Sequence, residues 1–378
     1  MALSEPRDLC EQAPEYVRSI APYQPGKPIA ELAREYGLDP ARIVKLASNE
    51  NPLGLSPAAK VALEREIADL ARYPDGGAFD LKAALCKRYG VAQENIVVGN
   101  GSNDVLELAA AAFLAPGRSA VYAQHAFAVY PLATKARGAR GIAVPALNFG
   151  HDLDAMAAAI THDTRVVFMA NPNNPTGTFV PHAKVERFLA NVPRTVLVVL
   201  DEAYNEYLPE ALRFDTVRWL EQFPNLVIVR TFSKVYGLAG LRVGFGLMHA
   251  AVADLLNRVR QPFNVNNLAL AAAAAALEDH AFIQKSFNLN RDGLKQLEAG
   301  ARKLGLGFIP SVGNFITIEF ARAHGKPQGG VIFEKLLREG VIVRPVSGYE
   351  LPDHLRVTVG TPVENERFLS ALTKVIGA

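Results

Sequence analysis

Six short apolar runs recur through the middle of this chain: Ile96-Val-Val98, Ala120-Val-Tyr122, Val166-Val-Phe-Met-Ala170, Val196-Leu-Val-Val-Leu200, Leu226-Val-Ile-Val229 and the run from Val243 to Leu247. Each is short and followed by an amphipathic segment, and four of the six are rich in β-branched residues. That alternation is the pattern of a sheet covered by helices on both faces, an α/β architecture with mostly parallel strands. One of the intervening helices is well defined: Leu106, Ala109, Ala110, Phe113 and Leu114 share a face, with an expected start at Asn103 and an end at Pro116-Gly117.

The pattern changes on either side of this region. Residues 1–45 read as an N-terminal arm, punctuated by Pro6, Pro14, Pro22, Pro25 and Pro28, with one helical patch from Ile29 to Tyr36. Residues 46–275 carry the strand-and-helix alternation. From 276 to 378 the order becomes helix, strand Phe315–Ile318, helix Val331–Glu339, strand Val341–Val343, strand Leu355–Val359 and a final helix. This reads as a smaller α+β domain that the arm joins. The alanine run Ala271–Ala276 reads as a closely packed helix without chemistry.

Composition narrows the partners. With 378 residues, 49% hydrophobic and 21% charged, the chain can bury one large core and a smaller second one. Its 40 basic and 38 acidic residues are mixed along the sequence, and no basic block exists to pair with nucleic acid or a membrane surface. Small molecules, or another copy of the chain, are the expected partners. Cys10 and Cys86 lack metal or redox spacing, so no metal site is expected. With no apolar signal core and no long apolar span, a cytoplasmic location is expected.

Three of the apolar runs end in polar clusters: Asn171-Pro-Asn-Asn-Pro-Thr-Gly177, Asp201-Glu-Ala-Tyr204 and Thr231-Phe-Ser-Lys234. Ligands of open α/β sheets collect at the carboxyl ends of strands, so these clusters can converge on one bound molecule. A lysine at the end of a buried strand is desolvated, which lowers its pKa and makes its amine a usable nucleophile.

The ordered set Asn174-Pro-Thr-Gly177, Asp201 with Tyr204, Ser233-Lys234 and Arg242 resembles the pyridoxal-phosphate aminotransferases of fold type I, nearly end to end. Within them, Ala21-Pro-Tyr-Gln-Pro-Gly-Lys-Pro28, Leu46-Ala-Ser-Asn-Glu-Asn-Pro-Leu-Gly54 and Arg72-Tyr-Pro-Asp-Gly76 are most similar to the histidinol-phosphate aminotransferases. The resemblance implies a large domain with a seven-stranded type of sheet, the cofactor pyridoxal 5′-phosphate, and a homodimer.

It also implies roles. Lys234 is then the imine-forming lysine and proton carrier, Asp201 the partner of the pyridine nitrogen, and Asn174 and Tyr204 the donors to the phenolic oxygen. Ser102 and Asn103, after Gly101 at a helix N-terminus, join Thr231, Ser233 and Arg242 as a phosphate cup. Thr231 has packing as its other reading. Phe127 falls where the family stacks an aromatic on the cofactor ring; core packing is the alternative there, and Tyr130 and Glu202 read as structural. Tyr73 matches a tyrosine that reaches a partner's cofactor phosphate. Arg344 and Arg356 supply two guanidinium groups for the substrate, a pair suited to a phosphate dianion. Tyr23 and the loop Asn49-Glu-Asn-Pro52 are expected to close over it.

The implied reaction transfers an amino group between L-histidinol phosphate and 2-oxoglutarate, giving imidazole acetol phosphate and L-glutamate in histidine biosynthesis. An aromatic-amino-acid aminotransferase of the same subfamily is the nearest alternative. A non-catalytic, cofactor-binding regulator is the alternative from another class.

Overall fold

The computed structural model describes residues 7–321 and 323–377. Its strands are, in chain order, β1 (Val44–Lys45), β2 (Ile96–Gly99), β3 (Ser119–Ala123), β4 (Arg140–Val144), β5 (Thr164–Ala170), β6 (Leu197–Asp201), β7 (Leu226–Thr231), β8 (Gly244–Met248), β9 (Gly307–Ile309), β10 (Phe315–Glu319), β11 (Val341–Ile342), β12 (Arg344–Pro345) and β13 (His354–Thr358). Seven of them form the main sheet in the order β2-β8-β7-β6-β5-β3-β4. Only β8 runs against its neighbours; the other pairings are parallel.

Period-2 alternation sorts the strand residues into two apolar layers. Val167, Met169, Val198, Leu200 and Ile228 face one core. Phe168, Val199, Val227 and Val229 face the other, with Leu106, Ala109 and Ala110 of the helix Ser102–Phe113. Because both faces are covered, these strands are uniformly apolar in sequence. The strand β4 is the exception: it lies at the sheet edge with most of its residues exposed, and its Arg-Gly-Ile-Ala-Val composition carries no buried-strand signal. The helix Asn267–Glu278 buries Ala269, Ala272, Ala273 and Ala276, and its small side chains let it pack closely on the helix Pro57–Glu66.

A second, antiparallel sheet has the order β12-β13-β10-β9. The helices His280–Lys303, Gly329–Arg338 and Pro362–Ile376 cover it, burying Leu297, Leu336 and Phe368 against Ile316, Ile318, Leu355 and Val357. The last helix starts at a capping box formed by Thr361 and Glu364. The run Val341-Ile-Val343, expected as one strand, is shorter: β11 ends at Ile342 and pairs in parallel with β1, and after Val343 a separate strand, β12, pairs with β13. The helix Ile29–Tyr36 packs Leu32 and Ala33 against Leu337 and Ile342.

The parallel register sets the position of the three polar clusters. Ala170, which ends β5, lies opposite Asp201, and Asp201 lies opposite Val229. The segments that follow β5, β6 and β7 therefore leave the sheet side by side at its carboxyl edge.

Candidate active site

A cavity of about 280 Å³ opens at that edge, and every residue singled out from the sequence except Tyr73 lines it. Lys234 reaches it directly after β7. Its Nζ donates to the Ser48 carbonyl at 3.2 Å and sits 5.7 Å from the centre of the Tyr204 ring. Burial, reinforced by the Arg356 and Arg242 guanidiniums, brings its pKa down to about 7. A substantial neutral fraction of this amine is available at neutral pH.

Asp201 is buried, and burial pushes its pKa up to about 6. Its Oδ2 accepts from the Tyr130 hydroxyl at 2.9 Å and its Oδ1 from the Ala203 amide at 3.2 Å. An ionised carboxylate here gains from a cation placed in the cavity. Its neighbour Glu202 turns away into a buried ion pair with Arg230, at 2.8 Å, and accepts from Thr216.

Tyr204 lies edge-on to Phe315 and receives a hydrogen bond from Asn49 Nδ2 at 2.9 Å. Burial raises its pKa to about 12, so its hydroxyl keeps a proton to donate. Asn49 differs from the expected closing element. Its backbone is left-handed, with φ 55°, and Thr358 bonds both its amide and its Oδ1. Asn51 is tied equally firmly, to the Val235 carbonyl and the Ser286 hydroxyl. These buried bonds hold Asn49 and Asn51 in place, with Asn49 Nδ2 against the Tyr204 hydroxyl.

The anion cup forms where the helix Ser102–Phe113 meets the lysine segment. The helix opens at Ser102, one residue earlier than expected, because Gly101 takes φ 82° and ends the preceding turn. No side chain caps it, and its first residues, Ser102 and Asn103, line the cavity. A Cβ on Gly101 would stand 2.3 Å from Arg242 Nη2, and one on Gly244 would stand 2.4 Å from the Ser102 nitrogen. Only glycine at both positions lets the guanidinium lie against the helix terminus. Arg242 Nη1 also donates to Ser233 Oγ at 3.3 Å, and Thr231 Oγ1 accepts from the Ser233 amide at 3.1 Å.

On β13, Arg356 is buried, donating to Asn174 Oδ1 at 2.6 Å and to the Ala47 carbonyl at 2.7 Å. Arg344 is more open; it bonds the Tyr23 hydroxyl at 3.2 Å and the Gln24 carbonyl at 2.8 Å, over the Tyr23 ring. Phe127 packs edge-on to Tyr130. Tyr73 is 82% exposed, stacked on Phe263 outside the cavity.

Sequence reasoning passed over several contributors. The carbonyls of Ala47 and Ser48 carry no side-chain signal. Tyr349 lines the cavity, and Tyr130 was read as structural although it bonds Asp201. The donor set fits pyridoxal phosphate: one cavity holds an anion cup, a buried carboxylate without an ion-pair partner among the described residues, and a lysine.

Comparison with known proteins gives the family. Residues 41–372 match the family of class I and II aminotransferases. The histidinol-phosphate aminotransferase 2 of Nitrosospira multiformis is 61% identical, over 97% of this chain and 92% of that protein. The histidinol-phosphate aminotransferase 1 of Dechloromonas aromatica is also 61% identical, over 97% of this chain and 99% of that protein. The crystal structure of histidinol-phosphate aminotransferase from Sinorhizobium meliloti, in complex with pyridoxal-5′-phosphate, superposes with a TM-score of 0.89 at 27% identity, covering 97% of this chain and 98% of that one. With these relatives spanning almost its whole length, the chain belongs to the class I and II aminotransferases and, among them, to the histidinol-phosphate aminotransferases.

Proposed function

We propose that the cavity binds pyridoxal 5′-phosphate and transfers an amino group between L-histidinol phosphate and 2-oxoglutarate, giving imidazole acetol phosphate and L-glutamate, as a step of histidine biosynthesis. The observation that carries this reading is that one cavity gathers Lys234, Asp201, Tyr204, the anion cup at a helix terminus and the guanidiniums of Arg344 and Arg356. The bound cofactor supplies an electron-withdrawing ring that accepts the electron pair left at the amine-bearing carbon.

The protein's own groups divide the remaining work. Lys234 Nζ holds the cofactor and moves the proton at the amine-bearing carbon of the substrate. Asp201 balances the positive charge of the ring nitrogen, and Phe127 covers the ring face. Tyr204 and the Asn174 amide donate to the phenolic oxygen; the Asn174 Oδ1 is already engaged by Arg356, which leaves its Nδ2 to donate. Ser102, Asn103, Thr231, Ser233 and Arg242 hold the cofactor phosphate. Arg344 and Arg356, with Tyr23, receive the phosphate of the substrate.

The working unit we infer is a homodimer. Tyr73, Phe263, Ile67, Leu70 and Phe79 are all substantially exposed, which is costly for a lone chain and suits contact with a second copy. Tyr73 would then complete the partner's anion cup. The arm, 1–45, is assigned to the unit formed by 276–378, supported by the β1–β11 pairing, and 46–275 forms the cofactor-binding unit. No described helix is long and apolar enough to cross a membrane, in keeping with a cytoplasmic enzyme.

Single-turnover reaction of the cofactor-loaded protein with L-histidinol phosphate, beside L-phenylalanine and L-tyrosine, tests the reading through the cofactor absorbance. A far larger second-order rate constant with histidinol phosphate is expected. Comparable or faster reaction with the aromatic amino acids would move the assignment to aromatic transamination.

A further inference from the structure

Tyr130 lies on the helix Val129–Ala136, entirely excluded from solvent. Its ring is stacked on Phe168, centroids 5.0 Å apart and planes within 4°, and meets the edge of Phe127 at 5.9 Å. Phe168 lies two residues before Ala170 on β5, so both point to the same face, and Ala170 is the register partner of Asp201. The aromatic stack therefore places the Tyr130 hydroxyl at the carboxylate, 2.9 Å from Oδ2. A fully buried tyrosine needs a partner for its hydroxyl, and here that partner is the carboxylate proposed to face the cofactor ring.

We propose that Tyr130 is a positioning residue for the transamination reaction: clamped between Phe168 and Phe127, its hydroxyl fixes the rotamer of Asp201 and stabilises its charged form toward the cofactor ring nitrogen. The inference rests on the pyridoxal-phosphate reading above and adds to it a residue that does not line the cavity.

Several charges act on Asp201. Burial opposes its ionisation and Glu202 adds repulsion, whereas Tyr130, the Ala203 amide and Lys234 favour the charged form. Tyr130 contributes the largest of the favourable influences. Burial and the adjacent carboxylate hold the Tyr130 phenol far above its usual range, so it remains a donor throughout the working pH range. A hydrogen bond given to a carboxylate stabilises the ionised form selectively. Removing it raises the pH below which Asp201 takes up a proton and loses its attraction for a cationic ring.

The test is cofactor affinity measured by equilibrium dialysis from pH 5 to 9, for the full-length protein and for Tyr130→Phe, which deletes one oxygen and keeps the ring. The expected result is a pH profile displaced upward by about one unit, with affinity down by roughly tenfold at pH 5 and by about twofold at pH 7. In an Asp201→Asn background the same substitution is expected to change neither quantity. A Tyr130→Phe profile superimposable on the parent's overturns the inference while leaving the cofactor reading intact; failure of the parent protein to bind pyridoxal phosphate at all overturns that reading first. Should Tyr130→Phe not fold, 3-fluorotyrosine at position 130 preserves the shape and makes a stronger donor. It is expected to displace the profile downward, and an unchanged profile overturns the inference equally.

Discussion

Arg356 on β13 donates from Nη1 to Asn174 Oδ1, 2.6 Å away in the loop that follows β5. One guanidinium thus joins the antiparallel sheet to the edge of the main sheet, and the same bond sets which way the Asn174 amide points. The groups proposed to hold substrate and cofactor are mechanically coupled through this pair.

Arg356→Ala therefore removes more than a substrate contact. It leaves the Asn174 oxygen and the Ala47 carbonyl without their donor in a buried setting. A charge-assisted bond of this kind contributes about 2 kcal/mol, so kcat/KM for histidinol phosphate is expected to fall by roughly thirtyfold or more, with cofactor affinity also reduced. Arg344→Ala, at a more exposed site, is expected to raise KM for the phosphate-bearing substrate and leave cofactor affinity unchanged. Steady-state kinetics and cofactor titration of the two variants separate these effects.

Lys234→Met is expected to abolish turnover and the visible absorbance of the loaded protein. It also changes the stability of the cofactor-free protein. The folded pKa of about 7 lies below the ordinary 10.5, so the folded state binds fewer protons between these values. This group's contribution to stability is greatest above pH 10.5 and is lost as pH falls through about 7. Thermal denaturation of the cofactor-free variant is expected to lack that slope and to show a higher Tm than the parent at pH 7 and below.

For Asp201 the sign is reversed. Its folded pKa of about 6 exceeds the ordinary 3.8, so its contribution is complete below pH 3.8 and declines as pH rises through 6. A shift of this size is on the order of 3 kcal/mol. Cofactor-free Asp201→Asn is expected to be more stable than the parent above pH 6, while binding pyridoxal phosphate more weakly and turning over far more slowly. Melting curves against pH and cofactor titration check the two halves of this trade-off.

Gly101→Ala places a methyl group where the Arg242 guanidinium lies, at a backbone φ of 82° that disfavours any side chain. Displacement of Arg242 from the helix terminus is expected to weaken pyridoxal phosphate binding by tenfold or more. Pyridoxal without its phosphate is expected to bind about as before. Comparing dissociation constants for the two compounds isolates the cup.

The sequence by itself determined much of the architecture, because strands buried on both faces must be apolar throughout and so announce themselves. The runs at Val166, Val196 and Leu226 became β5, β6 and β7, and the clusters after them gathered at one edge. The edge strand β4 escaped notice since exposure there removes the apolar requirement. That Asn174, Asp201 and Lys234 could meet at one cavity was legible because polar groups stand out at the ends of such runs. Tertiary structure alone decided what those groups touch. The Tyr130 bond to Asp201 joins residues 71 positions apart, and the Asn49 bond to Tyr204 spans 155. Likewise, a carbonyl such as Ser48 becomes a partner for Lys234 only when the chain brings it there. Local patterning encodes burial, which is a property of each segment, whereas hydrogen-bond partners and shifted pKa values arise from the enclosure that distant segments create together.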